Sequence, residues 1–509
     1  MNPKATLITF IAGLSLPLAW FVPGSAISVI LGWVAVFSWL HLAQLDKPYR
    51  YALVAGCMTH ALAFYWLTHT ISQFGGFNIL ATAGIFILFI LISSLQFLIF
   101  VFLYRLSPKV LESFGVRGAL AWIAAEICSV RIFPWHIGHT QIAFTPFVQV
   151  ADILGAILVS FIMFWIAELI LNQRLTRAIR IGAPGLIICL TLGYGFYCIS
   201  EYSPGSQRDK LRTQISVSLV QGNISLAEKH DSASFNRNVQ SYMDLSRAHT
   251  GADLIIWPET VLMEWIYEGV ATALSDRRIP WLADKTNLIF GGLSFRDRET
   301  FFNSVFAVEA DGTVPLPYHK MILMPFGEYT PLGDYLPWLK ALNSTVADFA
   351  AGEGATVFKL PIKDNPKDSI RVAPLICYED VAPSLAVLAS TAGANLLINL
   401  TNDAWFGDSV APYQHHLIAS FRAIENRRYL LRATNTGLTA VVDPLGRTLS
   451  QLPTFQSGVL SEKVSLVEEV PLFVKLGGNY LWWIVLGLYG VLLSIRLLRV
   501  LTSRKKLAA

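Results

Sequence analysis

Charged residues are scarce in this chain of 509 residues, since Asp, Glu, Lys and Arg together make up only 15% of it. Hydrophobic residues make up 54%. A soluble protein of this length needs more charge on its surface. The composition therefore excludes an ordinary soluble protein and indicates an integral membrane protein.

Cysteine is also rare, with 5 residues in the whole chain. Cys57, Cys128, Cys189 and Cys198 lie in long apolar stretches, and only Cys377 lies in a stretch of mixed polarity. No C-x-x-C pattern and no His-rich tract occurs in the sequence, so we predict no metal site. Because Cys377 has no second cysteine near it, it is either a buried structural thiol or a thiol kept free for chemistry.

Long apolar runs divide the chain into three parts. We predict a membrane domain over residues 1–200, a water-exposed domain over 201–475, and a last membrane helix with a basic tail over 476–509. A transmembrane helix needs about 20 apolar residues, which gives about eight such helices, seven of them in the first part. They lie near 5–22, 25–45, 51–71, 78–104, 118–134, 150–171, 181–199 and 479–498.

The run at 118–134 is the weakest of these, because it contains Glu126 and Arg131 and ends at Pro134. The first run follows Lys4 and has features of a secretory signal. We expect an uncleaved anchor instead, because the next apolar run follows with no soluble segment between the two.

The positions of Lys and Arg predict the orientation in the membrane. Alternate loops, at 4, 47–50, 105–117, 174–180 and 496–506, hold fourteen of these residues, whereas the opposite short loops hold essentially Arg131 alone. Positive loops stay in the cytoplasm. We therefore expect a multi-pass protein of a bacterial inner membrane, with both termini in the cytoplasm and residues 201–475 in the periplasm. The basic tail is a topology signal, and we predict no nucleic-acid partner.

Residues 201–475 alternate between two kinds of pattern. Short apolar runs typical of buried strands occur at 215–220, 254–257, 287–292, 302–308, 371–376, 396–400 and 438–442, and helical patterns at 232–249 and 413–429. This alternation predicts an α/β layered domain.

Chemically useful side chains stand just after predicted strands of this domain. Glu259 follows L-I-I-W-P, Cys377 follows V-A-P-L-I, and Lys320 and Glu328 lie in Y-H-K-M-I-L-M-P-F-G-E. A carboxylate can take the proton of a thiol, and an ammonium favours the thiolate and stabilises the oxyanion of acyl transfer. Each residue alone also suits an ordinary surface or core position. Together they form a coherent catalytic set of Glu, Lys and Cys.

The motifs around these residues, W-P-E-T, Y-x-K with P-F-G-E, and L-I-C-Y-E, resemble those of the nitrilase superfamily. Other motifs are similar to those of the apolipoprotein N-acyltransferases, namely F-P-W, G-H-T-Q and Q-V-A-D-I-L-G in the apolar part, and N-D-A-W-F-G-D-S, Q-H-H and R-A-T-N-T-G in the polar part. The resemblance therefore covers nearly the whole chain.

This resemblance implies a nitrilase-like αββα sandwich inserted in a multi-span α-helical membrane domain. The implied reaction moves a fatty acyl chain from a phospholipid, through a cysteine thioester, to the α-amino group of the lipidated N-terminal cysteine of an apolipoprotein. By the same match Glu259 is the general base, Lys320 stabilises the oxyanion and Cys377 is the nucleophile. Four further residues would line or support the site: Glu328, Tyr378, Glu379 and Trp405. No cofactor is implied, and we expect a monomer in the bilayer.

The chain departs from the family pattern at three positions. Ile322 stands where members usually carry His, Ser225 where Pro is common, and His230 in place of an aromatic residue.

Two other functions remain open. One is a membrane-tethered amidase or nitrilase that uses water as the acceptor, and the other is a non-enzymatic lipid-binding or transport protein.

Overall fold

The structure, a computed structural model, describes residues 3–282, 286–325, 327–330, 333, 335, 348–363 and 365–508. It divides into two compact units. The first contains Met1–Thr68, Ile79–Ser200 and Lys475–Ala509, and the second contains His69–Asn78 and Glu201–Val474. A short segment from the N-terminal half thus belongs to the same unit as the polar part of the chain.

The regular elements are numbered in chain order. The helices are α1 (Pro3–Phe21), α2 (Ala26–Gln44), α3 (Pro48–Ala63), α4 (Leu67–Gly75), α5 (Ile79–Leu106), α6 (Lys109–Ser113), α7 (Arg117–Cys128), α8 (Thr145–Val148), α9 (Ala151–Leu171), α10 (Arg177–Tyr202), α11 (Leu226–His230), α12 (Phe235–Arg247), α13 (Pro383–Thr391), α14 (Ala411–Asn426), α15 (Leu472–Lys475) and α16 (Tyr480–Ala508). The strands are β1 (Gln214–Gln221), β2 (Leu254–Ile256), β3 (Leu262–Tyr267), β4 (Asn287–Phe295), β5 (Phe301–Val308), β6 (Tyr318–His319), β7 (Phe358–Ile362), β8 (Asn365–Ile376), β9 (Leu396–Thr401), β10 (Leu430–Thr434), β11 (Ala440–Val442), β12 (Thr448–Gln451) and β13 (Gly458–Ser465).

Within the described residues, 6 helices are long and apolar enough to cross a bilayer, namely α1, α2, α5, α9, α10 and the 480–499 part of α16. The two other predicted spans are helical but shorter. The run at 51–71 is divided between α3 and α4, and the run at 118–134 forms α7, which ends at Cys128. At 1.5 Å per residue α3 and α7 extend roughly 24 and 18 Å, less than the bilayer core of about 30 Å.

A buried carboxylate lies near the end of α7. Glu126 is fully buried near the end of this helix. Its carboxylate accepts hydrogen bonds from Trp122 Nε1 at 2.6 Å and from the backbone N–H of Ile137 at 3.1 Å, and it lies 2.7 Å from His136 Nδ1. The chain that returns after α7 thus satisfies a charge that would otherwise be costly in an apolar surrounding.

Two mixed sheets form the centre of the second unit. One has 7 strands in the order β13-β1-β2-β4-β5-β6, with β3 also paired to β4, and the other has 6 strands in the order β12-β11-β10-β9-β8-β7. The pairs β1–β2, β2–β4, β8–β9 and β9–β10 are parallel. Parallel neighbours end at the same edge of a sheet, where ligand sites commonly form.

The layering follows from the alternation of side chains along each strand. In β1, Val217 and Leu219 join one apolar cluster with Val372 and Leu400 of the other sheet, so the two sheets pack face to face. On the outer face of the first sheet, Val220 and other residues pack with Tyr242 of α12. The outer face of the second sheet packs in the same way against α13 and α14. The result is an αββα sandwich, as predicted.

Candidate active site

The structure brings together the three side chains that the sequence analysis placed after strands. Glu259 comes three residues after the end of β2, Lys320 follows β6, and Cys377 follows β8. Glu259 and Lys320 lie in the first sheet's layer and Cys377 in the second sheet's layer, yet the charges of both act on the Cys377 thiol. The three groups therefore share one site within the second unit.

Lys320 is a buried ammonium held by two carboxylates. Its side chain is 2% exposed, and Nζ lies 2.9 Å from the Glu328 carboxylate and 3.5 Å from Glu259 Oε1. Burial by itself lowers the pKa of Lys320, but the charges of Glu328 and Glu259 outweigh burial and raise the pKa above its ordinary value. Lys320 is therefore a fixed positive charge at every physiological pH.

Asn303 of β5 fixes the spacing of the two carboxylates. Its Nδ2 donates hydrogen bonds to Glu259 Oε1 at 2.9 Å and to Glu328 Oε1 at 2.8 Å. The second oxygen of Glu328 accepts from the backbone N–H of Met324 at 2.9 Å. The sequence analysis missed Asn303, although an amide in the middle of the apolar run F-N-S-V-F was a usable signal.

Cys377 stands at a strained turn. The residue has a φ of +51° in the left-handed region, directly between β8 and a 3₁₀ helix over Cys377–Val381. Such a conformation costs a non-glycine residue about 1–3 kcal/mol and is concentrated at functional sites. It ends the strand abruptly, so the thiol stands at the edge of the sheet.

The Cys377 thiol is protonated at rest. The residue is partly exposed, but the groups around the sulfur withdraw it from water. This burial raises the pKa of Cys377, as does the nearby charge of Glu259, whereas Lys320 and a hydrogen bond with Thr401 lower it; the net result is a pKa well above the ordinary value. A thiolate therefore forms here only if a neighbouring base takes the proton.

Glu379 supports the site and does not line it. This fully buried carboxylate accepts hydrogen bonds from the backbone N–H groups of Ile376, Met321 and Ile322 at 2.7, 2.6 and 3.1 Å, and from the Tyr318 hydroxyl at 2.8 Å. Burial raises the pKa of Glu379 to about 7 against the effect of these donors. The side chain joins the nucleophile turn to the segment that carries Lys320.

The two other predicted residues are Tyr378 and Trp405. Tyr378 is partly buried directly after the nucleophile. Trp405 belongs to a 3₁₀ helix over Asp403–Phe406, and its ring packs edge-to-face on His230 with centroids 5.9 Å apart. Its carbonyl accepts a hydrogen bond from Thr70 Oγ1 at 3.2 Å. The segment before α5 therefore supports the Trp405 turn.

A second buried lysine, which was not predicted from the sequence, lies beside Glu259. Lys229 of α11 is 7% exposed, and its Nζ donates a hydrogen bond to the backbone carbonyl of Glu259 at 2.9 Å. Burial lowers the pKa of Lys229 to about 8, against the opposing charges of Glu259 and Cys377.

A buried imidazole connects the two 3₁₀ turns of the site. His415 Nε2 lies 2.7 Å from Asp380 Oδ1, in the Cys377 turn, and His415 Nδ1 lies 3.3 Å from Asp403 Oδ1, in the Trp405 turn. Arg432 of β10 forms an ion pair with Asp380. Because carboxylates face both ring nitrogens, His415 is an imidazolium. The motif Q-H-H contained this residue, but nothing in the sequence indicated its role.

Comparison with known proteins identifies the family of this chain. The family profile described as Apolipoprotein N-acyltransferase N-terminal domain matches residues 12–169, and that described as Carbon-nitrogen hydrolase matches residues 216–471. An apolipoprotein N-acyltransferase of Geobacter metallireducens is 30% identical over 508 aligned residues, which cover 94% of this chain and 93% of the relative. The chain belongs to the apolipoprotein N-acyltransferase family.

An apolipoprotein N-acyltransferase of Pseudomonas aeruginosa is 34% identical over 402 residues, which cover 75% of this chain and 73% of that protein. Among solved structures, an amidase of the nitrilase superfamily from Nesterenkonia is 18% identical and covers 51% of this chain and 93% of its own, with a TM-score of 0.36. The predictions of family and fold are confirmed: this chain is a multi-pass membrane protein with a carbon-nitrogen hydrolase domain inserted between its membrane helices.

The three departures from the apolipoprotein N-acyltransferase pattern have local explanations. Ser225 is the N-cap of α11 and forms a capping box with Glu228, so it replaces the rigidity of Pro with hydrogen bonds. His230 presents its ring to Trp405 in the place of the aromatic residue. Ile322 packs its side chain against the apolar cluster of α13 and α14.

Gly291 should be essential for the position of Glu259. A Cβ at this residue of β4 would lie 2.6 Å from Glu259 Cα and 2.4 Å from the backbone nitrogen of Thr260. Thr260 itself has a φ of +47°, so this turn has little freedom to move away. We expect Gly291→Ala to lower the stability by about 1–3 kcal/mol, as overpacking does, measured by thermal or denaturant unfolding in detergent.

Gly458→Ala is the matched control, because a Cβ there meets only Leu452 at an ordinary 3.6 Å. Equal stability of the two variants would contradict the close packing beneath Glu259.

The His415 network predicts a stability that depends on pH. Burial, the largest single effect, and the charge of Arg432 lower the pKa of His415, but the charge of Asp380 and the hydrogen bonds with Asp380 and Asp403 together raise it to about 9 from an ordinary 6.5. The folded state therefore holds this proton more tightly. Its contribution to stability is complete below pH 6.5 and is lost as the pH rises through about 9.

Thermal unfolding of the wild type and of His415→Gln between pH 6 and 10 measures this contribution. The difference between the two melting temperatures should shrink over that range, and a constant difference would show that the ring is neutral in the folded protein.

Proposed function

We propose that this chain transfers a fatty acyl group from a phospholipid to the α-amino group of the diacylglyceryl-modified N-terminal cysteine of apolipoproteins. The observation that carries the proposal is the buried cluster of Glu259, Lys320 and Glu328 beside a protonated thiol at a strained strand end. Family membership adds the class of substrate. In this proposal Glu259 is the general base, Lys320 the oxyanion-stabilising group and Cys377 the nucleophile.

In the first half-reaction Glu259 takes the proton of the Cys377 thiol, and the sulfur attacks the carbonyl carbon of a phospholipid ester. The carbonyl oxygen becomes an oxyanion, which the fixed charge of Lys320 stabilises in a site shielded from water. Collapse breaks the bond to the glycerol oxygen, and the protonated Glu259 returns its proton to this leaving group. A lysophospholipid departs, and a thioester remains on Cys377.

In the second half-reaction the neutral amine of the acceptor attacks the thioester carbonyl. Glu259 takes a proton from the attacking nitrogen, Lys320 again stabilises the oxyanion, and the thiolate leaves and is reprotonated. The products are an amide on the lipoprotein and the original thiol. Proton transfer, charge stabilisation and a covalent thioester account for both steps, and no cofactor enters this scheme.

The remaining residues have supporting roles in the proposal. Glu328 holds Lys320 and shares Asn303 with Glu259. Glu379 fixes the Cys377 turn, and Trp405 with Tyr378 forms part of the wall beside the thiol.

The partners are a phospholipid donor and a diacylglyceryl apolipoprotein within the bilayer, and the chain acts as a monomer. Because both substrates are lipids, their acyl chains remain in hydrocarbon while the ester or amine reaches the thiol.

Covalent labelling tests the nucleophile. Incubation with a phospholipid that carries a tagged acyl chain should give a hydroxylamine-sensitive adduct on the wild type and none on Cys377→Ala. Glu259→Gln and Lys320→Met should form it at least about 100-fold more slowly, since general-base and oxyanion groups each contribute that much. Glu353→Gln, at a largely exposed carboxylate, is the matched control.

An adduct that persists in Cys377→Ala would remove the assignment. Lysophospholipid release with and without a diacylglyceryl acceptor peptide separates the transferase from the hydrolase. A transferase gives the amide product and releases more lysophospholipid when the peptide is present, whereas a hydrolase releases free fatty acid at the same rate in both cases.

We also propose an inner-membrane location with both termini in the cytoplasm and the catalytic domain in the periplasm, based on the basic loops described above. In a cysteine-free background, Lys359→Cys and Lys47→Cys place single thiols at exposed sites in the two regions. A membrane-impermeant maleimide should label position 359 in cells with a permeable outer membrane, and position 47 only after the inner membrane is opened. The reverse pattern would refute the orientation.

A further inference from the structure

We propose that Lys229 is a positioning residue of the acyl-transfer site: it holds the backbone of the base Glu259, and its charge favours the thiolate of Cys377. The inference rests on the proposed function, since it assumes that the Cys377 thiolate is the reactive form. It adds a second cation to a site whose recognised positive charge is Lys320.

The helix that carries Lys229 is short and locally fixed. Ser225 Oγ accepts the backbone N–H of Glu228 at 3.3 Å, and Glu228 Oε2 accepts the backbone N–H of Ser225 at 3.3 Å. At the other end of α11, His230 packs on Trp405. The helix is therefore held at both ends, and Lys229 between them is buried while Glu228 and His230 are exposed.

Lys229 and Lys320 are both buried, but their ammonium groups have different partners. Lys320 lies beside two carboxylates. In the part of the chain that the structure describes, Lys229 makes one hydrogen bond from Nζ, to the neutral carbonyl of Glu259. A buried ammonium with so little compensation is costly. Its presence is understandable where negative charge is in excess or is formed during a reaction.

The charges of the site supply that excess. Lys320, Glu259 and Glu328 together carry two formal negative charges and one positive charge. Without a further cation, this excess would repel the thiolate. Lys229 balances the formal charges of these three side chains, and both Glu259 and Cys377 act electrostatically on its ammonium.

Lys229 affects the proposed reaction in two ways, through its positive charge and through its hydrogen bond to the Glu259 backbone. When the proton moves from the sulfur to the Glu259 carboxylate, the negative charge moves to the sulfur and stays within the influence of Lys229. The hydrogen bond to the Glu259 carbonyl restrains the turn in which Thr260 has its left-handed conformation. Nothing is oxidised or reduced, and Lys229 keeps its own proton.

Three substitutions separate charge from position in the full-length protein in detergent. Lys229→Arg keeps the charge, Lys229→Gln keeps an N–H donor without charge, and Lys229→Met keeps neither. Lys359→Met, at an exposed lysine of β7, is the matched control. The measurement is the rate at which iodoacetamide alkylates Cys377 as a function of pH, followed by mass spectrometry of the Cys377 peptide.

We expect Lys229→Gln and Lys229→Met to slow alkylation at pH 7.5 about tenfold, which corresponds to a rise of about one unit in the pKa of the thiol. Lys229→Arg should stay within about threefold of the wild type, and Lys359→Met should match it. A structural role alone would change the melting temperature and leave the alkylation profile of the folded protein where it was.

Two results overturn the proposal: a Lys229→Gln profile that coincides with the wild type, or a folded Lys229→Arg that is as slow as Lys229→Gln. If Lys229→Met fails to fold, these two variants still decide. Alkylation needs no lipid, so a failure here differs from a failure of the proposed function, which would appear as a missing acyl adduct on wild-type Cys377.

Discussion

The buried ammonium of Lys320 is the interaction on which the rest of the site depends. A lone ammonium in this position would be unstable, and two carboxylates and the bridging amide of Asn303 make it tolerable. The four groups come from the ends of β2 and β6, from β5 and from the segment that contains Glu328. Removing one partner leaves another charge buried without compensation. The site is therefore assembled as a whole, and its geometry is fixed before any substrate arrives.

A second set of hydrogen bonds stabilises the turns next to this cluster. The left-handed turn at Cys377 is held by the carboxylate of Glu379, which accepts three backbone hydrogen bonds and one hydroxyl. His415 ties the same turn to the turn that carries Trp405 through two carboxylates. Residues outside the reacting set thus determine where the thiol stands. Glu379 and His415 thus hold the Cys377 turn in place by hydrogen bonds.

The sequence predicted the strands before Glu259 and Cys377, but not the short strand β6 before Lys320 nor several residues that support the site. Glu259, Lys320 and Cys377 were visible because each polar residue interrupts or ends an apolar run. Lys229 was not visible, since its role arises from the way α11 packs, and Asn303 was missed although it also interrupts an apolar run. The strand β10 was also missed, because L-L-R-A-T contains an arginine that looks exposed and is in fact buried against Asp380. The predicted spans at 51–71 and 118–134 were too long, because hydropathy alone does not register the break after α3 or the capped carboxylate of Glu126.

The proposed triad of Glu259, Lys320 and Cys377 does not by itself distinguish an amine acceptor from water. The selectivity has to come from the groups around the thiol. His69–Asn78 lies between membrane helices in the sequence, yet it belongs to the same compact unit as the catalytic domain, and Thr70 donates a hydrogen bond to the Trp405 carbonyl. Trp405 in turn packs on His230, next to Lys229. This wall thus depends on a segment from the membrane half of the chain, so residues 201–475 alone would lack part of it.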